Sequence, residues 1–144
     1  MIVLDANILL YAYDSTSEMH ARARAWIERI FSEGSLVGIP WQTVSAFLRI
    51  ATNPNLPGRR YTPEQAAQIV DQWLDQPNVR FLSAGDQHWS VLRRMMIEGQ
   101  ARGPLVTDAH LAALTIEHGG VLYTTDRDFS RFTGLRWANP LDES

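Results

Sequence analysis

There is no cysteine among the 144 residues, which excludes a disulfide framework, a thiolate zinc site and a cysteine nucleophile, and accords with a reducing cytoplasm. Lysine is absent as well. All 13 basic side chains are arginines, a bias that genomic base composition explains as readily as phosphate recognition does. Nor is there a basic excess: the net charge is -3 and the sequence pI about 5.7, so a diffuse positive field cannot be what draws a polyanion to this chain. No segment approaches the ~20 apolar residues of a membrane span, and Met1 to Leu4 run into Asp5 without a basic leader. The expectation is a soluble cytoplasmic protein with no membrane partner. Phosphate-cradling G-x-x-x-x-G-K-[ST] and dinucleotide G-x-G-x-x-G motifs are missing, which weakens nucleotide-driven readings.

What remains is a chain with 45% hydrophobic residues, of a length suited to one domain spanning residues 1–144. Ile2 to Leu4 is a short apolar run fit for a strand buried on both faces, followed by a helix over 7–13. Residues 17–33 carry helical spacing, and 36–39 make a second strand. Pro40 begins a helix with Val44, Phe47, Leu48 and Ala51 on its apolar face, and Asn53-Pro54-Asn55 ends it. Thr62-Pro63-Glu64 is a helix start, carried through Trp73 and Leu74 to Pro77, before a strand at 79–82. A helix over 86–100 should turn Trp89, Leu92 and Met96 inward. Another opens at Asp108 and stops at Gly119-Gly120, followed by a strand at 121–123, a turn and short helix over 126–132, and a final strand at 135–137. Strands alternating with helices predict an α/β fold: a three-layer α/β/α arrangement around a mostly parallel sheet of four to five strands.

In such sheets ligands bind beyond the carboxyl ends of the strands, where Asp5 and Asp126 are expected and where the helix beginning at Asp108 can bring a third acid. Each acid alone also suits a bland role, Asp5 and Asp108 as helix caps and Asp126 and Asp128 as turn residues. Together they say more. Several carboxylates projected to one sheet edge repel one another unless protonated or neutralised by a cation, and Mg²⁺ or Mn²⁺ suits an all-oxygen donor set. His110 lies about 200° around the helix from Asp108, so the two do not share a face, and His20, His88 and His118 have no partner at catalytic spacing. Arg59, Arg60 and Tyr61 form a loop that suits either solvent or a phosphate with a stacked base.

Taken in order, Val3-Leu4-Asp5-Ala6-Asn7, Phe47-Leu48-Arg49-Ile50, Thr107-Asp108-Ala109-His110-Leu111-Ala112-Ala113, Thr125-Asp126-Arg127-Asp128-Phe129 and Trp137-Ala138-Asn139-Pro140-Leu141 resemble PIN-domain ribonucleases of the VapC toxin type. The resemblance spans nearly the whole chain. It implies a PIN-like fold and an Mg²⁺-dependent endoribonuclease toxin, with Mn²⁺ as a substitute ion and Asp5, Asp108 and Asp126 as catalytic, metal-binding acids. Asp128 would be an auxiliary acid at the metal. It also implies an RNA substrate such as tRNA or rRNA, a VapB-type antitoxin partner and a homodimer. Much of that family carries a glutamate three residues before the helix arginine, a place taken here by Ala46, which leaves one or two metal ions open. It also motivates a second reading, a catalytically weakened PIN module acting mainly in RNA or antitoxin binding.

Overall fold

A computed structural model describes residues 1–142. Five strands, β1 (Ile2–Leu4), β2 (Val37–Pro40), β3 (Val79–Leu82), β4 (Val121–Tyr123) and β5 (Trp137–Ala138), pair in the order β3-β2-β1-β4-β5, every pairing parallel. Between them run α1 (Ala6–Ala12), α2 (His20–Ser32), α3 (Trp41–Ala51), α4 (Pro63–Asp75), α5 (His88–Glu98) and α6 (Leu105–Glu117), with a 3-10 helix over Arg127–Arg131.

Successive residues of a strand face opposite sides of the sheet, and β1 uses this to anchor two cores. Leu4 packs with α1 to α4 around Phe47 and Trp73, while Val3 packs with α5, α6 and Phe129 on the other face. Tyr13, Phe47 and Trp73 interlock edge to face, with Phe47 and Trp73 ring centroids 4.9 Å apart. Fully burying one such ring contributes roughly 1.5–3 kcal/mol, which pins α1, α3 and α4 to one another. The second face is closed by small residues: Ala109, Ala112 and Ala113 let α6 approach the sheet, and Gly120 lies so near β1 that a Cβ there would meet the Val3 Cγ2 at 2.6 Å.

Local signals explain most boundaries. Thr62 and Gln65 form a reciprocal capping box at α4, with Pro63 in the first helical position. Several expectations change. The second helix begins at His20 rather than Ser17, because the Ser17 hydroxyl accepts from the Met19 N–H in a turn that delays the helix. The last strand is Trp137–Ala138, not 135–137, since its register is set by pairing with Leu122 and Tyr123. α5 is shorter than 86–100 and buries Met95, whereas Trp89 is 64% exposed: His88 occupies the inward place through contacts with α6. Among the described residues no helix is long and apolar enough to cross a membrane.

Candidate metal centre

The strand order reverses direction at β1 and β4, and the crevice beyond their carboxyl ends is where a doubly wound sheet leaves room for a ligand. Asp5 follows β1 directly and caps α1, its Oδ1 accepting from the Ala6 N–H at 2.7 Å. Its Oδ2 accepts from the Thr124 hydroxyl at 2.8 Å, just past β4. Thr124 is fully buried and also accepts from the Asp126 N–H at 3.1 Å and from the Asn7 amide at 3.2 Å. One hydroxyl therefore ties the ends of two strands and two of the acids.

Asp126 caps the 3-10 helix, accepting from the Asp128 N–H at 2.9 Å, which turns Asp128 back toward the crevice. Asp108 comes from α6, which packs in the same core as Phe129 of that 3-10 helix. It is not the cap of α6, which starts three residues earlier at Leu105, but an acid within the first helical turn. Asp108, Asp126 and Asp128 each offer a carboxylate oxygen within 4.8 Å of the others, Asp108 and Asp126 partly buried and Asp128 exposed. Asp5 sits deeper and lies outside that tight triplet.

The electrostatics record the crowding. Burial raises the Asp5 carboxyl above its usual range, opposed by the hydrogen bonds from Thr124 and Ala6, with Asp126 adding repulsion. Asp108 is pushed up to about 6, first by burial and then by the charges of Asp126, Asp5 and Asp128, while Arg131 pulls the other way. All four acids thus share one field. The donors are hard oxygens, and their mutual repulsion is what a dication would relieve, so the residues fit Mg²⁺ or Mn²⁺. Two further amide oxygens, Asn7 Oδ1 and Gln42 Oε1, are buried at this edge and have no hydrogen-bond partner among the described residues.

The histidines stay apart from this centre. His110 packs against His88, ring centroids 4.4 Å apart, and burial, with His88 next, lowers its pKa. His88, read from sequence as partnerless, contacts Glu117 through Nδ1, and His118 donates from Nε2 to the Ser83 carbonyl rather than serving its own helix end. Tyr61 stacks under Arg59, with the guanidinium 5.0 Å from the ring centroid, and the loop is anchored by the Asp14 carboxylate accepting from the Arg59 N–H. Sequence reasoning assigned no role to Thr124, Gln42 or Arg131. A threonine two residues before Asp126 was the one local hint.

The PIN domain family profile matches residues 2–135. Ribonuclease VapC37 of Mycobacterium tuberculosis is 39% identical over 140 residues, covering 97% of both chains. Ribonuclease VapC33 of the same species is 35% identical over 143 residues, covering 99% of this chain and all of the relative. Among solved structures, VapBC2 from Rickettsia felis bound to a promoter DNA fragment superposes with a TM-score of 0.72 at 16% identity, over 96% of this chain and 98% of that one. VapC20 of Mycobacterium tuberculosis, a sarcin-ricin-loop-cleaving toxin, superposes at 0.67 with 17% identity, over 94% and 99%.

Proposed function

This chain belongs to the PIN-domain family, and from that membership we propose that it is an Mg²⁺-dependent endoribonuclease, the toxin of a toxin-antitoxin pair, folded as a single PIN domain and acting in the cytoplasm. The observation that carries the reading is the convergence of Asp108, Asp126 and Asp128 within 4.8 Å beside the half-buried Asp5. Relatives named as ribonucleases, similar along nearly their whole length, support RNA over DNA as substrate.

Asp5, Asp108 and Asp126 would hold the ion and Asp128 would assist from the open side. A bound Mg²⁺ supplies Lewis-acid charge against the phosphodiester and lowers the pKa of water. The chain does the rest. Thr124 fixes the Asp5 carboxylate through its hydroxyl, and the Ala6 N–H fixes the other oxygen, so this acid is oriented before substrate arrives. Partial burial of Asp5 and Asp108 lowers the local dielectric below that of water, which strengthens any charge placed opposite them. The exposed rim at Asp128 leaves room for an RNA backbone. A VapB-type antitoxin would restrain the enzyme, an arginine replacing the ion's positive charge at these acids, and a homodimer is the expected assembly.

The test uses purified, partner-free protein with structured tRNA and rRNA fragments, matched DNA, and Mg²⁺ or Mn²⁺. Wild type should cut RNA, not DNA, and Asp5→Ala and Asp108→Ala should each lower the rate by on the order of 100-fold or more. A wild type that cuts no RNA spared by both variants, yet still binds RNA or antitoxin, would establish the binding-module reading instead.

A further inference from the structure

α3 opens where the sheet's carboxyl edge meets the start of α6. The Thr43 hydroxyl donates to the Leu4 carbonyl at 2.9 Å, holding this helix end beside Asp5. Gln42, just before it, donates from Nε2 to the carbonyl of Thr107 at 3.4 Å, the residue preceding Asp108. A carbonyl oxygen only accepts, so this contact orients the amide and assigns the opposite atom as Oε1, which is buried without a partner among the described residues. An unsatisfied buried amide oxygen is costly and calls for a donor. Asn7 repeats the pattern. Its amide nitrogen donates to Thr124, whose own proton goes to Asp5, so the Asn7 oxygen too is left buried and unpaired.

Positions 42 and 46 are one helical turn apart and share a face of α3. Ala46 offers no oxygen on that face, whereas Gln42 brings a long oxygen-bearing side chain to it, next to the Thr43 that is bonded to the Leu4 carbonyl preceding Asp5. Hydrated Mg²⁺ and Mn²⁺ retain waters whose protons need acceptors. We propose that Gln42 is a positioning residue: its Oε1 accepts a hydrogen bond from a water hydrating the ion at Asp5, Asp108, Asp126 and Asp128, while its Nε2 braces the first turn of α6. This rests on the metal-centre reading above. Being neutral, Gln42 adds an acceptor without adding charge, so the centre holds one ion tightly rather than two.

Mn²⁺ binding to the intact protein, counted from the electron paramagnetic resonance signal of free Mn²⁺, reads this out without reference to cleavage. Wild type should bind one Mn²⁺. Gln42→Leu should bind it about tenfold more weakly, in the range seen when outer partners of metal sites are lost. Gln42→Glu, of nearly equal shape though without the Nε2 donor to the Thr107 carbonyl, should bind more tightly than wild type because it adds a negative charge beside the ion. Unchanged affinity in Gln42→Leu, or affinity in Gln42→Glu no greater than wild type, overturns the assignment, and if Asp108→Asn still abolishes binding the metal centre itself stands. A wild type that binds no Mn²⁺ overturns both.

Discussion

Thr124 is fully buried, and its single hydroxyl donates to Asp5 and accepts from Asn7 and the Asp126 N–H. Thr124→Val keeps the shape and removes every one of these bonds, leaving the Asp5 Oδ2, the Asn7 amide and the Asp126 N–H without this partner, at a cost of about 1–3 kcal/mol. Urea denaturation should show that loss, and RNA cleavage should fall with it because Asp5 is then held through one oxygen only. Asp108 makes a second, opposite prediction. Its folded pKa of about 6 lies above the usual 3.8, so its contribution to stability is full below 3.8 and is lost as pH rises toward 6. Without divalent ions, Asp108→Asn should therefore melt higher than wild type at pH 7 while cleaving no RNA. Equal melting temperatures at pH 7 would contradict the crowding of charges at this site.

The junction of α5 with the 3-10 helix shows how one element governs another. Gly99 follows α5, and a Cβ there would lie 2.8 Å from Phe132 Cε1 and 2.9 Å from the Met95 carbonyl oxygen. Phe132 is buried just after the helix that carries Asp128, and Arg131 donates to the Gly99 carbonyl at 3.0 Å. The backbone oxygen cannot step aside. Gly99→Ala should cost roughly 1–3 kcal/mol by overpacking and, by shifting the turn that bears Asp126 and Asp128, slow RNA cleavage without touching an acid. Thermal melts and single-turnover rates check both halves. The same region shows why helix faces were harder to read than helix existence. Periodicity turned Trp89, Leu92 and Met96 inward, whereas the residue α5 buries is Met95, and the helix is set by His88, which meets Glu117 and His110 on a different helix.

At the scale of the whole molecule, the parallel order β3-β2-β1-β4-β5 carries acids from the two ends of the chain to one crevice, where they oppose folding unless neutralised. A dication binding only the folded chain offsets that opposition. Mg²⁺ or Mn²⁺ at about 100 times its Kd should stabilise the protein by ~2.7 kcal/mol, an effect EDTA reverses and Asp108→Ala removes. Calorimetry at fixed ionic strength separates this from general screening.

The alternation of strand and helix, the placement of Asp5 after an apolar run and of Asp126 in a turn, and an all-oxygen set of candidate ligands were present in the linear chain. So was the start of α4, since a capping box is complete within four residues. These are local quantities. Which carboxylates draw together was decided by tertiary structure: Asp108, Asp126 and Asp128 form the close triplet, and Asp5 is set deeper, held by a hydroxyl 119 residues away. Gln42, Thr124 and Arg131 became neighbours of the acids only through contacts or charges reaching across the sheet edge. Propensity and period act over a few residues, whereas the meeting of β1, β4 and α6 depends on burying two apolar faces at once, which no window of sequence contains.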